Sequence, residues 1–212
     1  MDKSRIDWTL YLCTDRDIMT CETVERSVEL AAQGGCSVVQ LREKNCSSRE
    51  FLQLAQRVKP ITRKYNIPLI INDRLDIALL SGADGVHLGQ SDLPCSEVRK
   101  IAGDELIIGV SAATPAEAEK AQSDGADYIG VGAMFPTATK ANTRSVTIGL
   151  LKEIRSSVNI PIVAIGGITY DRIDDFRNTG INGFAVVSAI LAQQDICMAA
   201  KQLREKVLTT GL

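Results

Sequence analysis

The chain has 212 residues, 45% of them hydrophobic, and its 24 Lys and Arg against 26 Asp and Glu leave a formal charge of −2. A length of this order predicts one domain over residues 1–212, with ample apolar material for a core. Balanced charge excludes a broad nucleic-acid footprint and a basic membrane-binding face, while leaving room for a small, strongly charged pocket. Aromatics at 4% against 16 glycines favour aliphatic strands and tight turns over an aromatic-rich β-sandwich.

Residues 1–7 hold no apolar signal core, and no apolar run approaches the ~18–20 residues of a membrane span. The expectation is a soluble, cytoplasmic protein. Six scattered cysteines form no CxxC pair and His87 is the single histidine, which suits a reducing compartment and argues against zinc. The first apolar run covers residues 10–13. An amphipathic stretch marked by Val24, Val28, Leu30 and Ala31 follows, then a run at 38–39. Phe51, Leu52, Leu54, Ala55 and Val58 mark the next helix.

Two repeats then emerge along the chain. Asn66-Ile67-Pro68 and Asn159-Ile160-Pro161 each lead into an apolar run, with Pro at the strand's first residue, where it removes no central ladder bond. Gly82-Ala83-Asp84 and Gly125-Ala126-Asp127 open two further runs, with Gly180-Ile181-Asn182 a degenerate copy and Gly34-Gly35-Cys36-Ser37 a looser one. In each, glycine sits where a helix should end and supplies the left-handed conformation. Residues 106–110 add another run, after which Thr114 and Pro115 read as N-cap and first residue of a helix. The eight runs are continuous rather than alternating, as strands buried on both faces of a parallel sheet should be. The expected fold is therefore α/β, a (β/α)8 TIM barrel. An open doubly wound sheet would want Gly-x-Gly-x-x-Gly after the first strand, where the chain has Cys13-Thr14-Asp15-Arg16.

In a barrel the chemistry belongs at the C-terminal strand ends. Polar residues collect there. Gln40, Arg42 and Lys44 alternate after the second run, and period two predicts one shared face. Asn72 and Asp73 end the third, Asp92 follows the fourth, Ser111 ends the fifth, and Lys140 follows the sixth. Gly166-Gly167 and Ser188, after the seventh and eighth, occupy the usual barrel phosphate position. Cations beside Asp73 and Asp92 read as a site for a metal-bridged diphosphate, since Mg²⁺ takes one or two carboxylates and completes its shell with phosphate and water. The sequence thus predicts one diphosphate and one monophosphate ligand. Plainer readings exist: Gly166-Gly167 as a mere turn, Asp73 and Asp92 as helix caps, and His87 as a packed or hydrogen-bonded strand residue rather than a base.

The segments Tyr11-Leu12-Cys13-Thr14-Asp15, Gln40-Leu41-Arg42-Glu43-Lys44, Ile71-Asn72-Asp73-Arg74, Gly82-Ala83-Asp84-Gly85-Val86-His87-Leu88-Gly89-Gln90 and Thr137-Ala138-Thr139-Lys140 resemble the thiamine-phosphate synthase family over essentially the whole chain. The resemblance implies a Mg²⁺-dependent condensation of 4-amino-2-methyl-5-(diphosphooxymethyl)pyrimidine with a thiazole monophosphate, plain or carboxylated, releasing diphosphate. It implies that Gln40, Leu41, Arg42, Glu43, Lys44, Asn72, Ser111 and Lys140 hold the pyrimidine diphosphate. Asp73 and Asp92 would bind Mg²⁺. Thr137, Ala138, Thr139, Gly167, Val187 and Ser188 would hold the thiazole phosphate. Arg42, Lys44, Ser111 and Lys140 would carry catalysis. Partners would be phosphorylated small molecules, with no nucleic acid or membrane and with homo-oligomerisation left open. The chain departs from the family pattern at Ser111-Ala112-Ala113, where Ser-x-His is frequent, and at Gly132-Ala133, where Gly-Pro is usual. A thiazole tautomerase of the same superfamily and a non-catalytic phosphate-ligand sensor are the competing readings.

Overall fold

The computed structural model describes residues 2–136 and 144–212. Eight parallel strands close into a barrel in chain order. They are β1 (Leu10–Cys13), β2 (Val38–Leu41), β3 (Leu69–Asn72), β4 (Gly85–Leu88), β5 (Ile107–Ala112), β6 (Tyr128–Val131), β7 (Ile162–Ile165) and β8 (Gly183–Val186). β1 pairs with β8 through Leu10 opposite Phe184, which completes the ring. All eight runs read from the sequence are strands, and half of them are buried along their whole length. This is the expected (β/α)8 barrel.

Outside the barrel lie α1 (Val24–Gln33), α2 (Ser48–Lys64), α3 (Leu75–Ser81), α4 (Cys95–Ala102), α5 (Pro115–Ser123), α6 (Ile148–Ser157), α7 (Ser188–Leu191) and α8 (Ile196–Thr210). The Thr114 side chain caps α5 by accepting from Glu117 N–H at 3.2 Å, with Pro115 as its first residue. After β7 the chain forms a 3₁₀ turn, Tyr170–Phe176, in place of a full α-helix. No helix among the described residues is long and apolar enough to cross a membrane.

Both repeats have a physical meaning at the barrel floor. Pro68 and Pro161 stand one residue before β3 and β7 rather than inside them, because a proline has no N–H for the ladder. Their carbonyls still join it, accepting from Val39 at 3.1 Å and Ile129 at 2.9 Å. The glycine repeat behaves as expected: Gly35, Gly82, Gly125 and Gly180 all have positive φ. The residue two places after those glycines does something the sequence reading missed. Ser37 accepts the N–H of Leu10 at 3.1 Å, Asp84 that of Leu69 at 2.7 Å, Asp127 that of Ile108 at 2.7 Å, and Asn182 that of Ile162 at 2.9 Å. Each even-numbered strand therefore caps the odd strand before it, satisfying N–H groups that the ladder leaves unpaired.

Most apolar side chains pack between strands and helices, while a smaller cluster around Trp8, Tyr11, Ile70, Ile107, Tyr128 and Val163 fills the lumen. Trp8 lies 4.4 Å from the Tyr128 ring and closes the floor. A Cβ on Gly109 would lie 2.1 Å from Tyr128 Cζ, so this glycine makes room for the phenol. We expect Gly109→Ala to destabilise the fold by about 1–2 kcal/mol through overpacking. A thermal melt indistinguishable from that of the native protein would count against that close fit.

Candidate active site

At the C-terminal ends of the strands lies a cavity of about 620 Å³, lined by residues from every side of the barrel. Its first wall starts on β2. Gln40 is buried, and its carbonyl accepts from Thr14 N–H at 2.9 Å. The Thr14 hydroxyl in turn accepts from Arg42 N–H at 2.9 Å, which fixes the backbone from which Arg42 projects. The Arg42 guanidinium lies 3.5 Å from Asp15 Oδ2, and Lys44 Nζ lies 3.9 Å from the same oxygen. Asp15 is 8% exposed at its side chain and Arg42 18%, so solvent screens that pair little, whereas Lys44 at 43% is more screened.

The structure separates residues that the sequence grouped together. Gln40 and Arg42 line this cavity, whereas Lys44 lines two neighbouring hollows; Asp15 recurs in both, and Arg42 also lines one of them. Period two stops governing side-chain direction where β2 ends at Leu41. Leu41 itself is fully buried in the core between strands and helices. Glu43 pairs with Arg16 through two hydrogen bonds of 3.2 and 3.1 Å.

Asn72, Asp73, Asp92 and Ser111 form the next wall, from β3 to β5. Asp73 has φ +64°, a left-handed conformation that Asp tolerates better than most residues and that turns the chain sharply after β3. Its N–H donates to the His87 carbonyl at 2.8 Å. Neither aspartate caps a helix: Arg74 and Pro94 are the N-cap residues of α3 and α4, without side-chain caps. Asp92 Oδ2 accepts from Gly89 N–H at 2.6 Å, which anchors the carboxylate at the rim. Among the described residues no group of three or more His, Cys, Asp or Glu could hold a metal unaided. Two carboxylates in one cavity fit a hard cation that takes its remaining ligands from phosphate oxygens and water.

The third wall is the glycine turn. Gly166 and Gly167 have φ +100° and +64°. A Cβ on Gly167 would lie 2.8 Å from Phe135 Cβ and from the Pro136 carbonyl. Val187 and Ser188 line the cavity beside it, at the start of α7. Arg172 donates to the Gly167 carbonyl at 3.2 Å and stacks over Phe135 at 4.2 Å, bracing the turn from outside. Thr137, Ala138, Thr139 and Lys140 lie outside the described residues.

Beneath these walls runs a hydrogen-bonded chain. Gln40 Nε2 donates to the Tyr11 hydroxyl at 2.9 Å, and the Tyr11 and Tyr128 hydroxyls meet at 2.7 Å. Tyr128 meets His87 Nδ1 at 2.9 Å, and His87 Nε2 meets the Ser111 hydroxyl at 3.0 Å. Burial pushes both phenols well above their ordinary pKa, so they remain protonated. Burial likewise pushes the Cys13 thiol, on the same floor, up to about 12 and leaves it without thiolate character. The sequence offered one clue to this chain: a buried tyrosine inside an apolar strand needs a partner for its hydroxyl. Asp15 and Arg144 were also missed. Arg144 lines the cavity and pairs with Glu117 at 2.6 Å.

A closed parallel barrel whose catalytic face gathers cations, two carboxylates and a glycine turn defines an enzyme acting on phosphorylated small molecules. Comparison with known proteins specifies which. The profile described as thiamine monophosphate synthase matches residues 10–190. A thiamine-phosphate synthase of Ruminiclostridium cellulolyticum is 57% identical, over 96% of this chain and 97% of that protein. One of Clostridium beijerinckii is 54% identical, over 97% of this chain and 99% of that protein. The solved structure of a thiamine phosphate pyrophosphorylase from Pyrococcus furiosus superposes with a TM-score of 0.89 at 37% identity, covering 98% of each chain. The chain belongs to the thiamine monophosphate synthase family, and it is a transferase of thiamine biosynthesis.

Proposed function

We propose that the protein condenses 4-amino-2-methyl-5-(diphosphooxymethyl)pyrimidine with 4-methyl-5-(2-phosphoethyl)thiazole, or its carboxylated form, in a Mg²⁺-dependent reaction. The products are thiamine phosphate and diphosphate. One observation carries the reading: Arg42, Asp73 and Asp92 share a single cavity with the Gly166-Gly167 turn. That arrangement supports a diphosphate on one side and a monophosphate on the other.

Asp73 and Asp92 would hold Mg²⁺, which supplies charge neutralisation to the diphosphate when bound. Arg42 and Lys44, oriented by Asp15, stabilise charge as it develops on the leaving diphosphate. Lys140 joins them on the strength of the family motif. Gln40, Asn72 and Ser111 orient the pyrimidine, whose amino group can delocalise a benzylic-type cation. The carbon–oxygen bond then breaks ahead of carbon–nitrogen bond formation. Gly167, Val187 and Ser188, with Thr137, Ala138 and Thr139 by the same motif, hold the thiazole phosphate so that its ring nitrogen captures the cation in place. The scheme requires no strong general base.

The test is to mix both substrates with and without Mg²⁺ and measure diphosphate and thiamine phosphate. Stoichiometric formation of both with the metal, and neither after chelation, is the expected result. Product formation without metal would remove the proposed role of Asp73 and Asp92. No product under any condition would overturn the reaction itself.

A further inference from the structure

We infer that Arg172 is a positioning residue: by holding the Gly167 carbonyl it turns the N–H of the next residue towards the thiazole phosphate, and so sets the preference for a phosphorylated thiazole. The inference rests on the proposed function and deepens it by naming what orients a donor to that phosphate.

The Gly166-Gly167 turn is clamped at two successive carbonyls. Phe135 N–H donates to the Gly166 carbonyl at 3.0 Å, and Arg172 Nη1 donates to that of Gly167 at 3.2 Å. A trans peptide unit is planar, so its N–H points opposite to its C=O. Arg172 lines an outer hollow that Gly167 shares, whereas Ile168 lines the main cavity. With the Gly167 carbonyl drawn to the outer side, the Ile168 N–H faces the cavity. Ile168 is 4% exposed, and among the described residues no acceptor meets that N–H. A buried backbone donor requires a partner, and a phosphate oxygen beside Gly167 supplies one.

Without a Cβ, Gly167 at φ +64° leaves its peptide little intrinsic preference between orientations. The orientation is therefore imposed from outside, and the 3₁₀ turn Tyr170–Phe176 delivers the residue that imposes it. Ile173 and Phe176 are fully buried and anchor that turn. Arg172 N–H donates to the Thr169 carbonyl at 3.1 Å, which bends the chain back over Gly167. The guanidinium then lies 4.2 Å from the centre of the Phe135 ring, which meets the Phe176 ring edge-on at 6.1 Å. Stacking fixes the plane of the guanidinium, so its hydrogen bond keeps one direction.

The experiment compares native protein, Arg172→Met and Arg172→Lys. Initial rates are measured with thiazole monophosphate and with its unphosphorylated alcohol, at saturating pyrimidine diphosphate and Mg²⁺. Arg172→Met fills similar space without a donor and should lower the preference for the phosphate about tenfold, in the range for one hydrogen bond to a charged group. The loss should fall on KM for the monophosphate, with kcat and the KM for the alcohol kept within about twofold. Arg172→Lys keeps a donor and should regain part of the preference; no regain would overturn the hydrogen-bonding role. A merely structural role would raise both KM values together, which would also overturn the inference. The second readout is the Ile168 amide resonance of isotope-labelled protein titrated with thiazole monophosphate. It should move downfield in the native protein and move much less in Arg172→Met. A native resonance that stays in place on binding would show that this N–H does not face the ligand. An equal movement in Arg172→Met would show that Arg172 acts by charge alone, and either result overturns the inference. The native titration decides the orientation even where neither variant folds. Failure of the native protein to turn over either thiazole would instead overturn the proposed function, and the Ile168 resonance distinguishes the two failures.

Discussion

Arg42→Ala is expected to lower kcat by about 10²- to 10³-fold, the range for removing one preorganised group from a site of developing charge. The reason lies in what the guanidinium leaves behind. Asp15 faces Arg42 at 3.5 Å and Lys44 at 3.9 Å, with its own side chain 8% exposed. Without Arg42 the local charge facing the leaving group shifts towards the carboxylate. The variant therefore loses an attraction and uncovers a repulsion. Arg42→Lys should fall between the two, because it restores charge without the planar fork that grips two oxygens. The dissociation constant for thiazole monophosphate should stay within about twofold in both variants, since Gly167 and Ser188 belong to another wall. Pre-steady-state turnover together with ligand titration separates these effects. An equal loss in turnover and thiazole-phosphate binding would place Arg42 at the wrong substrate.

Much of this was legible in the chain itself, for physical reasons that also mark where legibility ends. A strand buried on both faces must be apolar throughout, so eight continuous runs announced a parallel sheet. Helix ends were visible because a left-handed residue strongly favours glycine, as Gly82 at φ +66° illustrates. Residues at strand ends read correctly as cavity-lining because the fold puts them there, as with Asn72, Asp73 and Ser111. What could not be read are the partners of a buried polar group. Tyr11 and Tyr128 lie 117 positions apart, and no local pattern says that their hydroxyls meet. Asp15 lies in the loop after β1, and only the adjacency of β1 and β2 reveals it as the counter-ion of Arg42. Lys44 lies past the end of β2, where the backbone no longer enforces alternation, and it stands beside Arg42 through their shared Asp15.

The glycine repeat yields the second large effect, at the end of the barrel away from the chemistry. Asp127→Ala is expected to destabilise the protein by about 3 kcal/mol, lowering the melting temperature by roughly 6–12 °C for a chain of this size. Asp127 Oδ2 accepts from Ile108 N–H at 2.7 Å and from Arg99 at 2.6 Å, while Oδ1 accepts from Lys3 at 3.0 Å. Alanine leaves a strand N–H and two part-buried cations without that acceptor. The side chains of Arg99, Asp127 and Lys3 are 18%, 20% and 23% exposed, so solvent screens part of the charge loss and the figure stays below that for a fully buried pair. The chain contains its own control. Asn182, at the equivalent place in the last repeat, accepts from Ile162 N–H at 2.9 Å with an uncharged oxygen. Asp127→Asn should therefore keep the strand cap, lose only charge assistance, and cost about 1 kcal/mol. Turnover at a temperature well below either melt should change little, because the cap lies at the opposite end from the cavity. Equal destabilisation by Asn and Ala would assign the whole effect to the ion pairs; a melt unchanged in both would refute the capping role of the repeat.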